Sequence, residues 1–104
     1  RIMYLLLQAK TPLCICELID VLHKPQYNIS RCLTILKEAD LVEEERDGRI
    51  LLHSPLYNSL NKLIFESINA IDIRENADLY IDIENLKERL ALRENGKVVV
   101  TYNK

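Results

Sequence analysis

Two extended runs, residues 41–46 and 49–53, flank the dipeptide Asp47-Gly48 and constrain this chain more than any other feature. Asp-Gly between two strand-like runs is the strongest short-range hairpin signal, because both residues tolerate the positive φ that tight hairpin turns require. What precedes the hairpin is helical. Thr11 is placed as an N-cap and Pro12 as a first helical residue, and Ile15, Leu18, Ile19 and Leu22 follow at i, i+3, i+4 and i+7. His23-Lys24-Pro25 breaks that helix, and a further one is expected over 27–39 with Ile29, Leu33 and Leu36 inward. Helix, tight turn, helix and then a hairpin make the winged-helix arrangement. The fold class expected is mostly α with a small β-hairpin wing, a winged helix-turn-helix.

Outside this centre, residues 2–9 read as a short buried helix. Ser54 and Pro55 are expected to cap a helix reaching Asn69. A loop over 70–78 leads to a last helix at roughly 82–95, ended by Gly96 as a C-cap, and the tail "KVVVTY" is a candidate strand. This divides the chain into a winged helix-turn-helix region, 1–69, and a C-terminal extension, 70–104. At 104 residues, 48% hydrophobic and 29% charged, the composition suits one soluble globular domain. A net charge of −2 announces no global basic field, yet a small reading surface can be basic on an acidic protein. Three cysteines at no disulfide-framework spacing point to a reducing cytoplasm. No apolar run approaches the roughly 18 residues of a membrane span. The chain opens at Arg1 inside an apolar run, so residues before it are expected.

On the helix expected over 27–39, at about 100° per residue, Tyr27, Ser30, Arg31 and Thr34 project away from the apolar side. With Gln26 and Asn28 at its start they offer donors, acceptors and one guanidinium to base edges and phosphates in a major groove. Lys37, Arg46 and Arg49 are positioned to hold the backbone. Glu43-Glu44-Glu45 would be repelled by phosphates, so only alternate side chains and the 47–49 tip are expected to face a duplex. In the helix expected over 55–69, Leu56, Leu60, Leu63, Ile64 and Ile68 read as inward, and Tyr57 and Phe65 widen the arc beyond what one small core covers.

Residues 29–50, "ISRCLTILKEADLVEEERDGRI", resemble the ArsR family of bacterial and archaeal repressors. That family shows a serine, a basic residue and a histidine before leucine, then "LxxAGLV", then an arginine-glycine wing. Here Cys32 stands at the histidine and Asp40 at the glycine; aspartate can adopt the left-handed conformation, at some cost. The resemblance covers about residues 1–69. It implies a homodimer that buries the helix after the wing against its mate, sits on operator DNA and leaves when an inducer binds.

Cys14 and Cys16 fall within "TPLCICELIDVL". On an ideal helix over 12–22 they flank the buried stripe about 200° apart, so their sulfurs diverge. Both could reach one ion, at metal–sulfur distances of about 2.3 Å, only if the first turn distorts. A thiol in a first turn gains thiolate character from the helix dipole, and soft thiolates select As(III), Sb(III) or Cd(II). "LCICEL" closely resembles the "LCVCDL" element of arsenic-sensing family members, and by that match Cys14 and Cys16 are the metalloid ligands. The element's third cysteine is Ile19 here, so Cys32, a partner's cysteine or a small thiol would complete a trigonal site. Cys32 itself reads as a small residue at the core-facing edge of its helix. His23 and His53 are isolated.

Taken together, the sequence points to a cytoplasmic, homodimeric repressor with operator DNA as partner. It has no membrane contact and no obligatory cofactor, and arsenite or another soft ion is its inducer. The alternatives are a thiol-redox repressor of the same fold and a winged-helix module that binds protein instead of DNA. No nucleophile–base pair, phosphate loop or carboxylate cluster suggests an enzyme.

Overall fold

A computed structural model describes residues 1–71 and 75–93. The first helix, α1 (Ile2–Ala9), is apolar almost all round, and its residues from Ile2 to Leu7 are all buried, as a helix without a polar face requires. Lys10, in the left-handed region at φ 55°, ends it. Next come a two-residue strand β1 (Leu13–Cys14), α2 (Ile15–Leu22), α3 (Gln26–Glu38), β2 (Val42–Asp47), β3 (Ile50–Pro55), α4 (Ser59–Asn69) and α5 (Ala77–Leu90). The expected winged helix-turn-helix is present. Its core joins α1, α2 and α3 through Leu5, Leu6, Leu18, Ile29 and Leu33, and Val42, Phe65 and Leu86 close it.

The hairpin forms where expected, with the turn displaced by one residue. Asp47 pairs with Ile50, so the two loop residues are Gly48 and Arg49; Gly48 alone of these takes a positive φ, 65°. The sheet has three strands in the order β1-β3-β2, all antiparallel. This third strand overturns the expected start of α2. Leu13 pairs with His53 and Cys14 with Leu52, which satisfies backbone groups along the outer edge of β3. The helix begins at Ile15 with Cys14, in an extended conformation, as its N-cap, and Thr11 and Pro12 lie outside it. Glu17 supports that cap by accepting the Cys14 backbone N–H at 3.2 Å.

The turn between α2 and α3 follows the expectation. His23 at φ 55° closes α2 by donating its N–H to the Ile19 carbonyl, and Pro25 caps α3. Asp40 takes the left-handed conformation at φ 59°.

Two later helices differ from expectation. The strand β3 continues through Pro55, paired with Val42, so α4 starts at Ser59 under an Asn58 cap that accepts the Asn61 N–H at 2.8 Å. The side chain of Asn61 is buried and donates to the carbonyls of Asp40 and Leu56, both at 2.8 Å. That peg sets the helix phase. Asn61 and Phe65 face inward and Ile68 packs on the core, whereas Leu60 and Leu63 are 82% and 73% exposed and Ile64 is exposed too. The inward reading of Leu60, Leu63 and Ile64 is therefore wrong for the single chain, and Leu56 precedes the helix. Tyr57 stacks edge-on against Phe65, with ring centroids 5.5 Å apart.

The last helix begins five residues earlier than expected, because Asn76 caps it by accepting the Leu79 N–H at 3.2 Å. It also ends earlier, at Leu90 with Ala91 as its C-cap, so Gly96 does not end it; the strand expected in "KVVVTY" lies outside the described residues. The buried face of α5 mixes Leu79 and Leu86 with Asp82 and Arg89. Arg1 donates to both Asp82 oxygens at 2.8 and 2.9 Å, and Arg89 meets Asp20 at 2.6 Å. The Asn85 amide donates to the Val21 carbonyl, so α5 lies along α2.

Candidate nucleic-acid interface and thiol pair

Ile29 and Leu33 anchor α3 in the core, which turns its other side to solvent. Gln26, Tyr27, Asn28, Arg31, Thr34 and Lys37 are exposed and Ser30 is half-buried, with Tyr27 at 71%. The hydroxyl of Thr34 donates to the Ser30 carbonyl one turn back, at 2.9 Å. On the wing, Arg46 and Arg49 are exposed at and beside the hairpin tip. Every predicted reading residue thus lies on α3 or the wing, and all but Ser30 are exposed.

The acidic run alternates as a strand must. Glu43 and Glu45 face solvent, while Glu44 turns toward α3 and pairs with Lys37. Lys37, expected to hold the DNA backbone, is therefore engaged by the wing and locks its strand to the reading helix. The Lys37 ammonium, its hydrogen-bond donor, holds the Glu44 carboxyl below the usual range.

Behind this pair lies a notch of about 420 Å³ lined by Ser30, Thr34, Lys37, Glu38, Glu44 and His53, among others. His53 is 2% exposed, and neither ring nitrogen has a hydrogen-bond partner; the nearest carboxylate oxygen, on Glu44, is 3.6 Å from Nδ1. Burial pushes its pKa down, Glu44 opposes that shift and Lys37 adds to it. Sequence reasoning passed over His53 as isolated. The hairpin register held the signal, since Glu44 and His53 are direct cross-strand partners.

The cysteines do not sit as an ideal helix would place them. Cys14 is the extended N-cap and is 4% exposed, while Cys16 is the second residue of α2 and half-buried. Burial raises the Cys14 pKa and outweighs the hydrogen bonds that favour its thiolate; the charges of Glu17 and Cys16 raise it further. The expected dipole-lowered thiol is thus reversed at Cys14, because desolvation exceeds the help from the helix N-terminus. Cys32 also corrects expectation. It is exposed, on the rim of a cleft of about 730 Å³ between α1 and α3. Among the described residues, no three His, Cys, Asp or Glu side chains are grouped to hold a metal ion. Among them, too, no helix is long and apolar enough to cross a membrane.

Comparison with known proteins agrees with this geometry. Residues 1–44, through both helices of the reading unit and into β2, match the family model described as bacterial regulatory protein, arsR family. Over 68 residues the chain is 35% identical to the HTH-type transcriptional repressor SmtB of two Mycobacterium tuberculosis strains, covering 65% of this chain and 50% of that protein. Over 49 residues it is 45% identical to the uncharacterized HTH-type transcriptional regulator MJ1325 of Methanocaldococcus jannaschii, covering 46% of this chain and 55% of that one. The chain spans about half the length of the curated relatives it matches. The winged helix-turn-helix, the arsR-family model over residues 1–44 and the regulators among its relatives together support an ArsR-type transcriptional regulator.

Proposed function

We propose that the protein is a homodimeric, cytoplasmic repressor that binds operator DNA through α3 and the wing. Arsenite or another thiophilic ion, bound at Cys14 and Cys16, releases it. The observation that carries the DNA reading is the exposed polar side of α3, from Gln26 to Lys37, on a helix anchored by Ile29 and Leu33. The relatives named as transcriptional repressors and regulators support it. The dimer is supported by the apolar surface that Leu60, Leu63, Ile64 and Tyr57 leave uncovered in one chain. The proposed interface also includes Leu56 and Ile68.

Two thiols separated by one residue at the start of α2 suit a soft ion, with the third ligand from Cys32, a partner's cysteine or a small thiol. Fluorescence anisotropy on genomic fragments bearing the operator tests the whole reading. Wild-type protein should bind and be released by arsenite, whereas the Cys14→Ser, Cys16→Ser double variant should bind and stay. A double variant released at the wild-type arsenite concentration refutes the sensor. The exposed Cys32 beside Arg31 on α3 favours a second reading, release by thiol oxidation. Release by peroxide that Cys32→Ser abolishes would support that one instead.

A further inference from the structure

Arg93, three residues beyond α5, makes the densest set of charged contacts in the described structure. Its Nε donates to Glu17 Oε2 at 2.7 Å and its Nη2 to Glu17 Oε1 at 2.6 Å. The same guanidinium donates to the Pro12 carbonyl at 2.7 Å and to the Thr11 hydroxyl at 3.2 Å. Glu17 is fully buried, and its Oε1 also receives the Cys14 backbone N–H. One side chain from the C-terminal part of the chain therefore brackets residues 11–17, the segment that contains both cysteines.

We infer that Arg93 and Glu17 form a clamp through which the C-terminal extension restricts access to the Cys14 thiol. The inference rests on the proposed role of Cys14 and Cys16, for which it supplies the regulation. Cys14 is buried, paired with Leu52 in the sheet and fixed as the N-cap of α2. Because Cys14 is buried, a thiophilic ion or an alkylating reagent reaches its sulfur only if residues 12–16 leave this arrangement. That movement withdraws the Cys14 N–H from Glu17 and the Pro12 carbonyl from Arg93. Charge-assisted hydrogen bonds at buried positions are the costly ones to break, because water cannot fully replace them until the segment opens. The clamp consequently sets the concentration at which the ion acts. Its Arg–carboxylate contact is bidentate, a fork that lysine cannot reproduce.

The test needs neither DNA nor arsenite. Each cysteine of the full chain is alkylated with iodoacetamide under native conditions, and its rate is read by peptide mass spectrometry. Arg93→Ala should accelerate labelling of Cys14 about tenfold or more, with Cys32 unchanged. Arg93→Lys, which keeps the charge and folds if the alanine variant does not, should do so to a smaller degree. Phe65→Leu, tuned by temperature to the same margin below its melting point, controls for plain loss of stability and should leave Cys14 at the wild-type rate. Equal acceleration in the Phe65 control, or none in either Arg93 variant, overturns the clamp. Arsenite titration of the operator complex then reads the consequence, a lower half-release concentration in the Arg93 variants. If wild-type protein ignores arsenite while Arg93 still governs Cys14 labelling, the inducer assignment fails and the clamp stands.

Discussion

His53 is the most informative residue to perturb, because the fold buries an imidazole and leaves both nitrogens without a hydrogen-bond partner. A buried polar group in that state costs about 1–3 kcal/mol relative to a satisfied one. His53→Leu, close in volume, should therefore leave stability unchanged or raise it by about 1 kcal/mol at pH 7.5. The larger effect is in the pH dependence. Burial lowers the folded-state pKa of His53 below the ordinary histidine value of about 6.5, so the unfolded chain binds this proton more readily. Stability from the neutral imidazole is complete above about pH 6.5. It falls as pH drops from there toward the folded pKa, by at most about 1.4 kcal/mol per pH unit for one proton. Glu44 titrates in a separate window. Its folded pKa is lowered from 4.5, so its contribution is present above that value and lost below it. Urea unfolding followed by circular dichroism at pH 7.5, 6.5 and 5.5 isolates the histidine. The advantage of His53→Leu over wild type should grow by about 1 kcal/mol across that range. Parallel pH profiles for the two proteins would show that the imidazole is solvated or hydrogen-bonded, and the reasoning would fail.

Asn61→Ala should cost about 1–3 kcal/mol in urea unfolding, since it strips hydrogen bonds from the Asp40 and Leu56 carbonyls and opens a gap under α4. Arg31→Ala should weaken operator binding by about 1–3 kcal/mol at fixed salt with the melting temperature unchanged; a folded variant of unaltered affinity removes Arg31 from the reading face. Leu60→Glu should give a folded monomer, because Leu60 is 82% exposed in one chain and a charge is costly only at a closed interface. Sedimentation showing an intact dimer would move the interface elsewhere.

Local chemistry made the centre of this fold legible. The Asp47-Gly48 signal placed the turn of the wing to within one residue, and His23-Lys24-Pro25 ended one helix and started the next, with Ile29 and Leu33 buried on the latter. The unbroken apolar run of residues 2–7 marked a buried element, and it is a buried helix. These features depend on turn preferences and side-chain periodicity within a few residues, which a sequence carries explicitly. What tertiary structure decided lies where the partner is far along the chain. Leu13 and Cys14 became a strand because β3, some forty residues later, offered an unpaired edge, and that pairing took both residues out of the helix expected to hold them. It also buried Cys14, so desolvation overrode the helix dipole that the sequence suggested would acidify it. The phase of α4 was set by Asn61 reaching the Asp40 and Leu56 carbonyls, which turned Leu60 and Leu63 outward against their hydrophobicity. Periodicity reports that a helix has an apolar arc. Which part of that arc faces its own core, and which is left for another surface, is decided by hydrogen bonds and ion pairs that form only when the chain has closed.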